Sequence, residues 1–326
     1  MKTVAFFDTK SYDRESFKKF ADDNIKIRMF ENKLNIDTVS MAQNCDAVCA
    51  FVNDDINKEV IEKLHSYGIG LIAMRCAGYN NVDLKACRDK IKIAHVPAYS
   101  PYAIAEHAMG MILLLNRKLH RAYIRTRDHN FSLDGLTGFD LMGKTVGIVG
   151  TGKIGRCFAD ICKGFSMKIL GYDPYKNEEF CGNYVSMEEL LKSSDIISLH
   201  CPLTKENRHL INDETVSQMK DGVFIINTSR GKLIDTQSII NGLKSQKIGA
   251  AGLDVYEEET DLFFEDYSEE VIHDDTLSTL ISMPNVLVTS HQAFLTREAL
   301  SGIAKTTMEN LKNYLTGKEL KNEVKI

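Results

Sequence analysis

The stretch Thr145–Asp173, TVGIVGTGKIGRCFADICKGFSMKILGYD, decides the fold. Val146, Ile148 and Val149 form an apolar run that reads as a buried strand, and it enters a G-x-G-x-x-G turn made by Gly150, Gly152 and Gly155. An amphipathic segment beginning near Lys153 reads as a helix, and Ile169 and Leu170 mark a second strand that ends at Asp173. In such a βαβ unit each glycine has its own task. Gly150 permits the tight turn, Gly152 lets backbone N–H groups approach a pyrophosphate, and Gly155 allows the helix to pack close to the strand. The helix then directs its positive N-terminal end at the phosphates. Asp173, 18 positions after Gly155, is spaced to accept hydrogen bonds from ribose hydroxyls and to repel a 2′-phosphate, which predicts NAD rather than NADP as cofactor.

Outward from this unit the alternation continues. Downstream, Ile196–Leu199, Val223–Asn227, Ala250–Val255 and Val286–Thr289 read as strands; with Val146–Val149 and Lys168–Tyr172 they make six, the number in a complete dinucleotide fold. Upstream, the apolar runs Val4–Phe7, Ile25–Phe30, Ala47–Phe51, Ile69–Ala73 and Ile91–Ala94 alternate with segments of helical spacing such as Arg14–Phe20 and Lys58–Tyr67. These form a second open α/β sheet. Pro97 and Pro101 bracket a short extended segment, after which Tyr102–Leu119 reads as one long, mostly apolar helix. A polar, glycine-bearing connection, His129–Gly143, leads into the βαβ unit, and Thr296–Lys318 reads as a final helix ending at Gly317. Because that helix lies beyond the last nucleotide-domain strand, it is expected to return to the N-terminal domain. The predicted fold is therefore α/β with two doubly wound domains. A Rossmann NAD-binding domain, residues 101–296, is inserted into a flavodoxin-like substrate (catalytic) domain, residues 1–100 and 297–326. Tyr256–Thr276, rich in Asp and Glu around Phe263, Phe264 and Tyr267, is expected to be a packed surface loop rather than a partner surface.

Composition narrows the function classes. A chain of 326 residues with net charge −5 is long enough for two domains and has no Lys/Arg run dense enough for a nucleic-acid face. The opening MKTVAFFDTK is too short in apolar residues for a signal peptide, and nowhere do 18 unbroken apolar residues occur, so a cytoplasmic location is expected, away from membranes. Eight cysteines without a CxxC pair sit singly among apolar residues and read as reduced core thiols, with neither disulfide nor metal ligation expected.

A bound NAD needs a partner that moves a proton and a partner that holds an anion, and in doubly wound sheets both belong at the carboxyl ends of strands. Arg230 directly follows the strand VFIINTS, Glu257, Glu258 and Glu259 follow the strand ending at Val255, and His291 follows NVLVTS. A histidine transfers a proton near neutral pH, and a carboxylate on its other ring nitrogen fixes the tautomer and raises its basicity; any one of the three glutamates suits that role. An arginine offers two parallel N–H donors to a substrate carboxylate and polarises an adjacent carbonyl. Together these residues describe reduction of a 2-keto acid.

The chain resembles the D-isomer-specific 2-hydroxyacid dehydrogenases over essentially its whole length, and most closely their fermentative, D-lactate-forming branch. The matching segments are RCAGYNNVDL at Arg75–Leu84, VPAYSPYAIAEHA at Val96–Ala108, VGIVGTGKIG at Val146–Gly155, HCPLTKENRHLIN at His200–Asn212, INTSRGKLIDT at Ile226–Thr236, GLDVYEEE at Gly252–Glu259 and PNVLVTSHQAF at Pro284–Phe294. The resemblance implies Arg230, Glu259 and His291 as catalytic residues, and so selects one of the three glutamates. It implies cofactor contacts from Gly150, Gly152, Lys153, Ile154, Gly155, Asp173, Cys201, Pro202, Asn207, Thr228, Ser229, Arg230 and Asp254. For the substrate it implies the Ala77–Gly78 backbone, Tyr99, Arg230, His291 and Phe294, with Arg75 adding positive charge. It further implies a homodimer, and NADH-dependent reduction of pyruvate. The competing readings are a dehydrogenase for bulkier 2-keto acids, decided by the pocket around Tyr99 and Phe294, and a non-catalytic NAD-binding scaffold. Gln292, where the family has Thr or Ile after the histidine, bears on substrate preference alone.

Overall fold

The computed structural model describes residues 1–258 and 262–325. The chain divides into two compact units, residues 1–100 with 295–326, and residues 101–294.

The first unit is built from β1 (Lys2–Phe6), α1 (Ser11–Lys18), β2 (Ile25–Met29), β3 (Ala47–Ala50), α2 (Lys58–Ser66), β4 (Leu71–Met74), α3 (Leu84–Cys87) and β5 (Lys92–Ala94). Its strands form a parallel sheet in the order β2-β1-β3-β4-β5, the flavodoxin-like winding. β3 and β4 are buried along their whole length, which is why they read as unbroken apolar runs without alternation.

The second unit opens with α4 (Pro101–Arg117) and α5 (Leu119–Arg127). It continues through β6 (Thr145–Val149), α6 (Lys153–Gly164), β7 (Lys168–Tyr172), β8 (Asn183–Tyr184), α7 (Met187–Ser193), β9 (Ile196–Leu199) and α8 (Asp213–Gln218). β10 (Val223–Asn227), α9 (Thr236–Lys244), β11 (Ile248–Leu253), α10 (Asp275–Ser282) and β12 (Val286–Val288) complete it. All seven strands are parallel, in the order β12-β11-β10-β9-β6-β7-β8. One apolar cluster, containing α7, α9 and α10 residues such as Leu190, Ile239 and Leu280, covers one face of this sheet; another, containing Ala108, Ile112 and Phe158 of α4 and α6, covers the opposite face.

α11 (Arg297–Leu315) belongs to the first unit, where Ala304, Met308 and Leu311 join Val4, Phe6 and Leu71 in one core. Its N-cap, Thr296, accepts a hydrogen bond from the Ala299 N–H, and Gly317 in the left-handed region (φ +70°) turns the chain just past its end.

Three features differ from expectation. The apolar helix after Pro101 stops at Arg117, because Lys118 adopts a left-handed conformation (φ +50°) and starts α5 in a new direction. β8 is a seventh strand, only two residues long and therefore without any periodicity to read. Cys181 is exposed, although Cys45, Cys49, Cys76, Cys87 and Cys162 are buried thiols; none of the eight is in a disulfide. In the acidic loop, Phe263 is buried in the second unit's core with Leu262 and Phe264 packed against it.

Arg75 also departs from its expected role. Instead of lending charge to a substrate, its side chain is 1% exposed and lies inside the first unit. Its Nη2 donates to the Asp8 carbonyl oxygen (2.5 Å), its Nε lies 3.5 Å from Asp13, and its guanidinium stacks over Phe6 and Phe51. Asp8 is in turn paired with Lys10 at 3.1 Å. Asp54, 1% exposed, accepts the Leu34 and Phe51 N–H groups at 2.6 Å each. Three carboxyl groups thus share two cations, and burial raises the pKa of Asp13 and pushes that of Asp54 up to about 7 against the pull of Arg75. A raised carboxyl pKa favours folding while the group is protonated. Asp54 therefore contributes stability that is full below pH 3.8 and is lost as the pH rises through 7. The expected outcome is a thermal midpoint that declines from about pH 4 to about pH 7, with a shallower slope in Asp54→Asn. Equal slopes in calorimetry of the two proteins would exclude this assignment.

Candidate active site

Register places the second unit's strand ends in one row. Tyr172, Val149, Leu199, Asn227, Leu253 and Val288 are consecutive partners across β7, β6, β9, β10, β11 and β12. Neighbouring ends lie about 4.8 Å apart, so every loop leaving this row opens on the same edge of the sheet. The winding reverses between β6 and β9, the position at which ligands bind in open α/β sheets.

The glycine turn leaves Val149. Gly150 has φ +93°, and a Cβ there would meet the His200 backbone at 2.6 Å. Gly152 is the N-cap of α6, and a Cβ on it would meet nothing within 4 Å. The space in front of the first helical residues Lys153 and Ile154 is therefore open. At Gly155 a Cβ would collide with the Gly150 carbonyl oxygen, so only glycine lets α6 start this close to β6. Asp173 leaves the neighbouring strand end. Its Oδ2 accepts the Thr151 N–H (2.7 Å) and hydroxyl (3.3 Å) and its Oδ1 the Tyr175 N–H (2.8 Å), which fixes the carboxylate beside the turn while leaving Oδ1 further acceptor capacity.

From Leu199 the chain passes through His200 to Cys201 and Pro202. Asn207 closes this loop by donating to the Pro202 carbonyl (2.7 Å) and accepting the Thr204 N–H (2.7 Å). Burial raises the Cys201 thiol to about 11, so it is an apolar contact surface rather than a nucleophile. From Asn227 come Thr228, Ser229 and Arg230. The Ser229 hydroxyl donates to the Leu199 carbonyl (2.9 Å), and Arg230 Nη1 donates to the Ser229 carbonyl (2.7 Å). The Thr228 hydroxyl is buried with no hydrogen-bond partner among the described residues, an unmet polar group of the kind a bound ligand satisfies. Glycine turn, helix N-terminus, fixed carboxylate and unpaired hydroxyl all fit a dinucleotide.

Asp254, fully buried, leaves Leu253. Its Oδ1 accepts the Thr289 hydroxyl (2.5 Å) and the Gln292 N–H (2.9 Å), its Oδ2 accepts the Ala293 N–H (2.9 Å), and its carbonyl accepts the His291 N–H (2.8 Å). His107 of α4 lies 3.3 Å from the same carboxylate. His291 is thereby held at φ +53°, with its ring against Phe264 at 5.9 Å. Asn227 joins the pieces: its side chain donates to the Arg230 carbonyl (2.9 Å) and its own carbonyl accepts the Asp254 N–H (2.9 Å). The structure thus brings Arg230, Asp254 and His291 onto adjacent, directly bonded strand ends. Gly231 seals the arrangement, since a Cβ there would collide with the Tyr256 carbonyl oxygen.

Glu259 lies outside the described residues. Of its neighbours, Glu257 binds His209 (2.7 Å) and Arg208 (3.3 Å), and Glu258 is exposed. Among histidines near the row, burial lowers the His200 pKa to about 3 and leaves it neutral against Ser198 (2.9 Å), unsuited to shuttling a proton. Phe294 is buried and closes the second unit. Ala77, Gly78 and Tyr99 lie in the first unit, each partly buried, as Arg75 does in full. Among the described residues no group of His, Cys, Asp or Glu is arranged to hold a metal, and no helix is long and apolar enough to cross a membrane. The roles of Asp254 and Asn227 in holding the histidine loop have no signal in the sequence beyond their position after apolar strands.

The profile of the D-isomer specific 2-hydroxyacid dehydrogenase NAD binding domain matches residues 109–293. A 2-hydroxyacid dehydrogenase homolog of Haemophilus influenzae is 54% identical, covering 98% of both chains. The D-lactate dehydrogenase of Escherichia coli is 51% identical, covering 98% of this chain and 99% of its own. An apo structure of the D-lactate dehydrogenase from E. coli superposes with a TM-score of 0.91 at 48% identity, covering 99% of this chain and all of that one.

The Asp173 geometry predicts cofactor choice. In Asp173→Ala the repulsion of a 2′-phosphate disappears, so the ratio of NADPH to NADH efficiency should rise by at least about tenfold, most of it from lost NADH affinity. An unchanged ratio in steady-state kinetics would separate Asp173 from the ribose.

Proposed function

Because the chain belongs to the D-isomer-specific 2-hydroxyacid dehydrogenase family, whose NAD-binding domain it carries, we propose that it is an NAD-dependent D-lactate dehydrogenase working as a pyruvate reductase. The observation that carries this reading is the row of bonded strand ends on which Arg230 and His291 stand beside the glycine turn. NADH, when bound there, supplies the hydride. Arg230 pairs with the substrate carboxylate and polarises the ketone. His291 donates the proton that the developing alkoxide requires, and Glu259 keeps it charged and oriented until then. The engagement of Glu257 by His209 and Arg208 supports Glu259 in that role. In the first unit, the backbone N–H groups of Ala77 and Gly78 receive the carboxylate, and Tyr99 bounds the substrate side chain; in the second unit Phe294 does the same. The product is D-lactate, and the enzyme works in the cytoplasm.

Steady-state NADH oxidation with pyruvate, 2-ketobutyrate, phenylpyruvate and oxaloacetate tests the proposal, with pyruvate expected to give the highest kcat/KM. Preference for a branched or aromatic acid would move the enzyme to the bulkier-substrate branch, and absence of turnover with all four would leave an NAD-binding scaffold. His291→Gln is expected to lower kcat by about 10²- to 10⁴-fold while NADH affinity stays near wild type. A comparable loss of NADH binding would instead make His291 a cofactor contact.

We further propose a homodimer. α4 buries one face against α6, β10 and β11, whereas α5 buries none of its residues within the chain. Tyr123, Ile124, Phe131, Leu133 and Met142 are all exposed on α5 and the connection after it. Such a concentration of apolar side chains is what a second copy would cover. Replacing Ile124 and Leu133 with Glu should shift the sedimentation mass to that of one chain; an unchanged mass would place the interface elsewhere.

A further inference from the structure

We infer that His95 is a positioning residue for the substrate carboxylate, acting through the peptide plane between Ala77 and Gly78. This rests on the reading of that backbone as the carboxylate cradle of a 2-keto acid reductase. His95 follows β5, and its Nδ1 lies 2.9 Å from the carbonyl oxygen of Ala77. A carbonyl oxygen only accepts, so Nδ1 carries the hydrogen and donates it, whether the ring is neutral or charged.

The consequence follows from peptide geometry. The Ala77 C=O and the Gly78 N–H belong to one planar unit, and the described residues contain no cis bond, so they point in opposite directions. Anchoring the oxygen towards His95 aims the Gly78 N–H away from it. A glycine-containing loop has several other orientations available at little cost, and a donor that rotates must be re-oriented each time an anion binds. His95 removes that freedom.

The histidine is itself fixed. Its N–H donates to the Asn322 carbonyl (3.1 Å), and its carbonyl accepts from the side chain of Asn310 on α11, which is 2% exposed. Asn322 in turn donates to Asn310 Oδ1 (2.9 Å). The Tyr79 ring meets the imidazole edge-on at 5.2 Å. The loop has two further ties close by: the Val96 N–H donates to the Cys76 carbonyl (3.0 Å), and the Cys76 thiol donates to the Gly78 carbonyl (3.1 Å). These hold the chain on either side of the Ala77–Gly78 plane, whereas His95 sets the plane. Arg75, one residue before Cys76, faces the buried carboxyl cluster, so in this loop the anion relies on peptide dipoles.

Three variants separate the possibilities. His95→Leu removes the donor. His95→Gln keeps a polar group but displaces its amide beyond Nδ1. His95→Asn returns an N–H donor to nearly the Nδ1 position. The readouts are KM for pyruvate, kcat, the Kd of NADH, the thermal midpoint, and the Kd of oxamate, an unreactive isostere of pyruvate, measured with NADH present. In the Leu and Gln variants KM and the oxamate Kd should rise together by about tenfold, the effect of one misdirected donor to a charged group. kcat should stay within about twofold, with NADH affinity unchanged, and the Asn variant should recover most of the loss. Wild-type KM and oxamate affinity in the Leu and Gln variants would overturn the inference while leaving the 2-keto acid reading in place. Parallel loss of kcat, NADH affinity and thermal midpoint in all three, without rescue by Asn, would show a merely structural histidine and overturn it equally. Failure of the wild-type protein to bind oxamate would remove the reading, and the inference with it.

Discussion

The constraint on which the candidate site depends is the common register of six parallel strands. Tyr172, Val149, Leu199, Asn227, Leu253 and Val288 are paired in sequence across the sheet, so the residues that immediately follow them leave from one line. Parallel pairing makes this possible, because all six carboxyl ends face the same way and each return is made by a crossover on a sheet face. A slip of one residue in β11 would turn Asp254 away from the loop it supports and would invert every side chain on that strand. The two apolar clusters on the faces prevent the slip, since both sides of each central strand are buried.

Within that line, the histidine loop depends on a single buried carboxylate. A non-glycine residue at φ +53° is disfavoured, by about 1–3 kcal/mol in general, and persists only where its surroundings over-determine it. At His291 they do: the peptide N–H groups of residues 291, 292 and 293 all end on Asp254. The arrangement resembles an anion-binding nest whose anion is part of the protein. The buried charge is balanced by peptide dipoles, by the Thr289 hydroxyl and by His107, rather than by a lysine or arginine that would compete for a substrate anion.

How much of this was legible in the sequence follows from the range over which each feature is encoded. The βαβ unit, its glycines and Asp173 lie within one local stretch, and the alternation of apolar runs with helical spacing carries the two α/β sheets. What lies beyond reach is pairing between distant segments. Nothing near Arg75 discloses that Asp8 and Asp13, over 60 positions away, neutralise it; an arginine beside a glycine-bearing loop reads as a ligand until its partners are known. Asp254 reads as one more polar residue after an apolar strand, because the three amide groups it accepts come from residues 292, 293 and, through its carbonyl, 291. β8 and the left-handed Lys118 escape for the opposite reason, being too short to leave a periodic trace.

The two units handle charge in contrasting ways, and the contrast bears on how an anion is received. In the second unit Arg230 is only partly buried, and one of its N–H groups is turned back to the Ser229 carbonyl, so its charge remains directed and partly hydrated. In the first unit Arg75 is sealed from water and its field is absorbed by carboxyl groups within a few ångströms. A fully compensated buried cation exerts little net potential at a distance, so in the carboxylate cradle proposed at Ala77–Gly78 the attraction rests on peptide dipoles. A dipole, unlike a charge, attracts only when it points the right way. On the proposed reading of that loop, orientation of one peptide by an imidazole, itself fixed by Asn310 and Asn322, therefore matters more for the first unit than the presence of any cation near it.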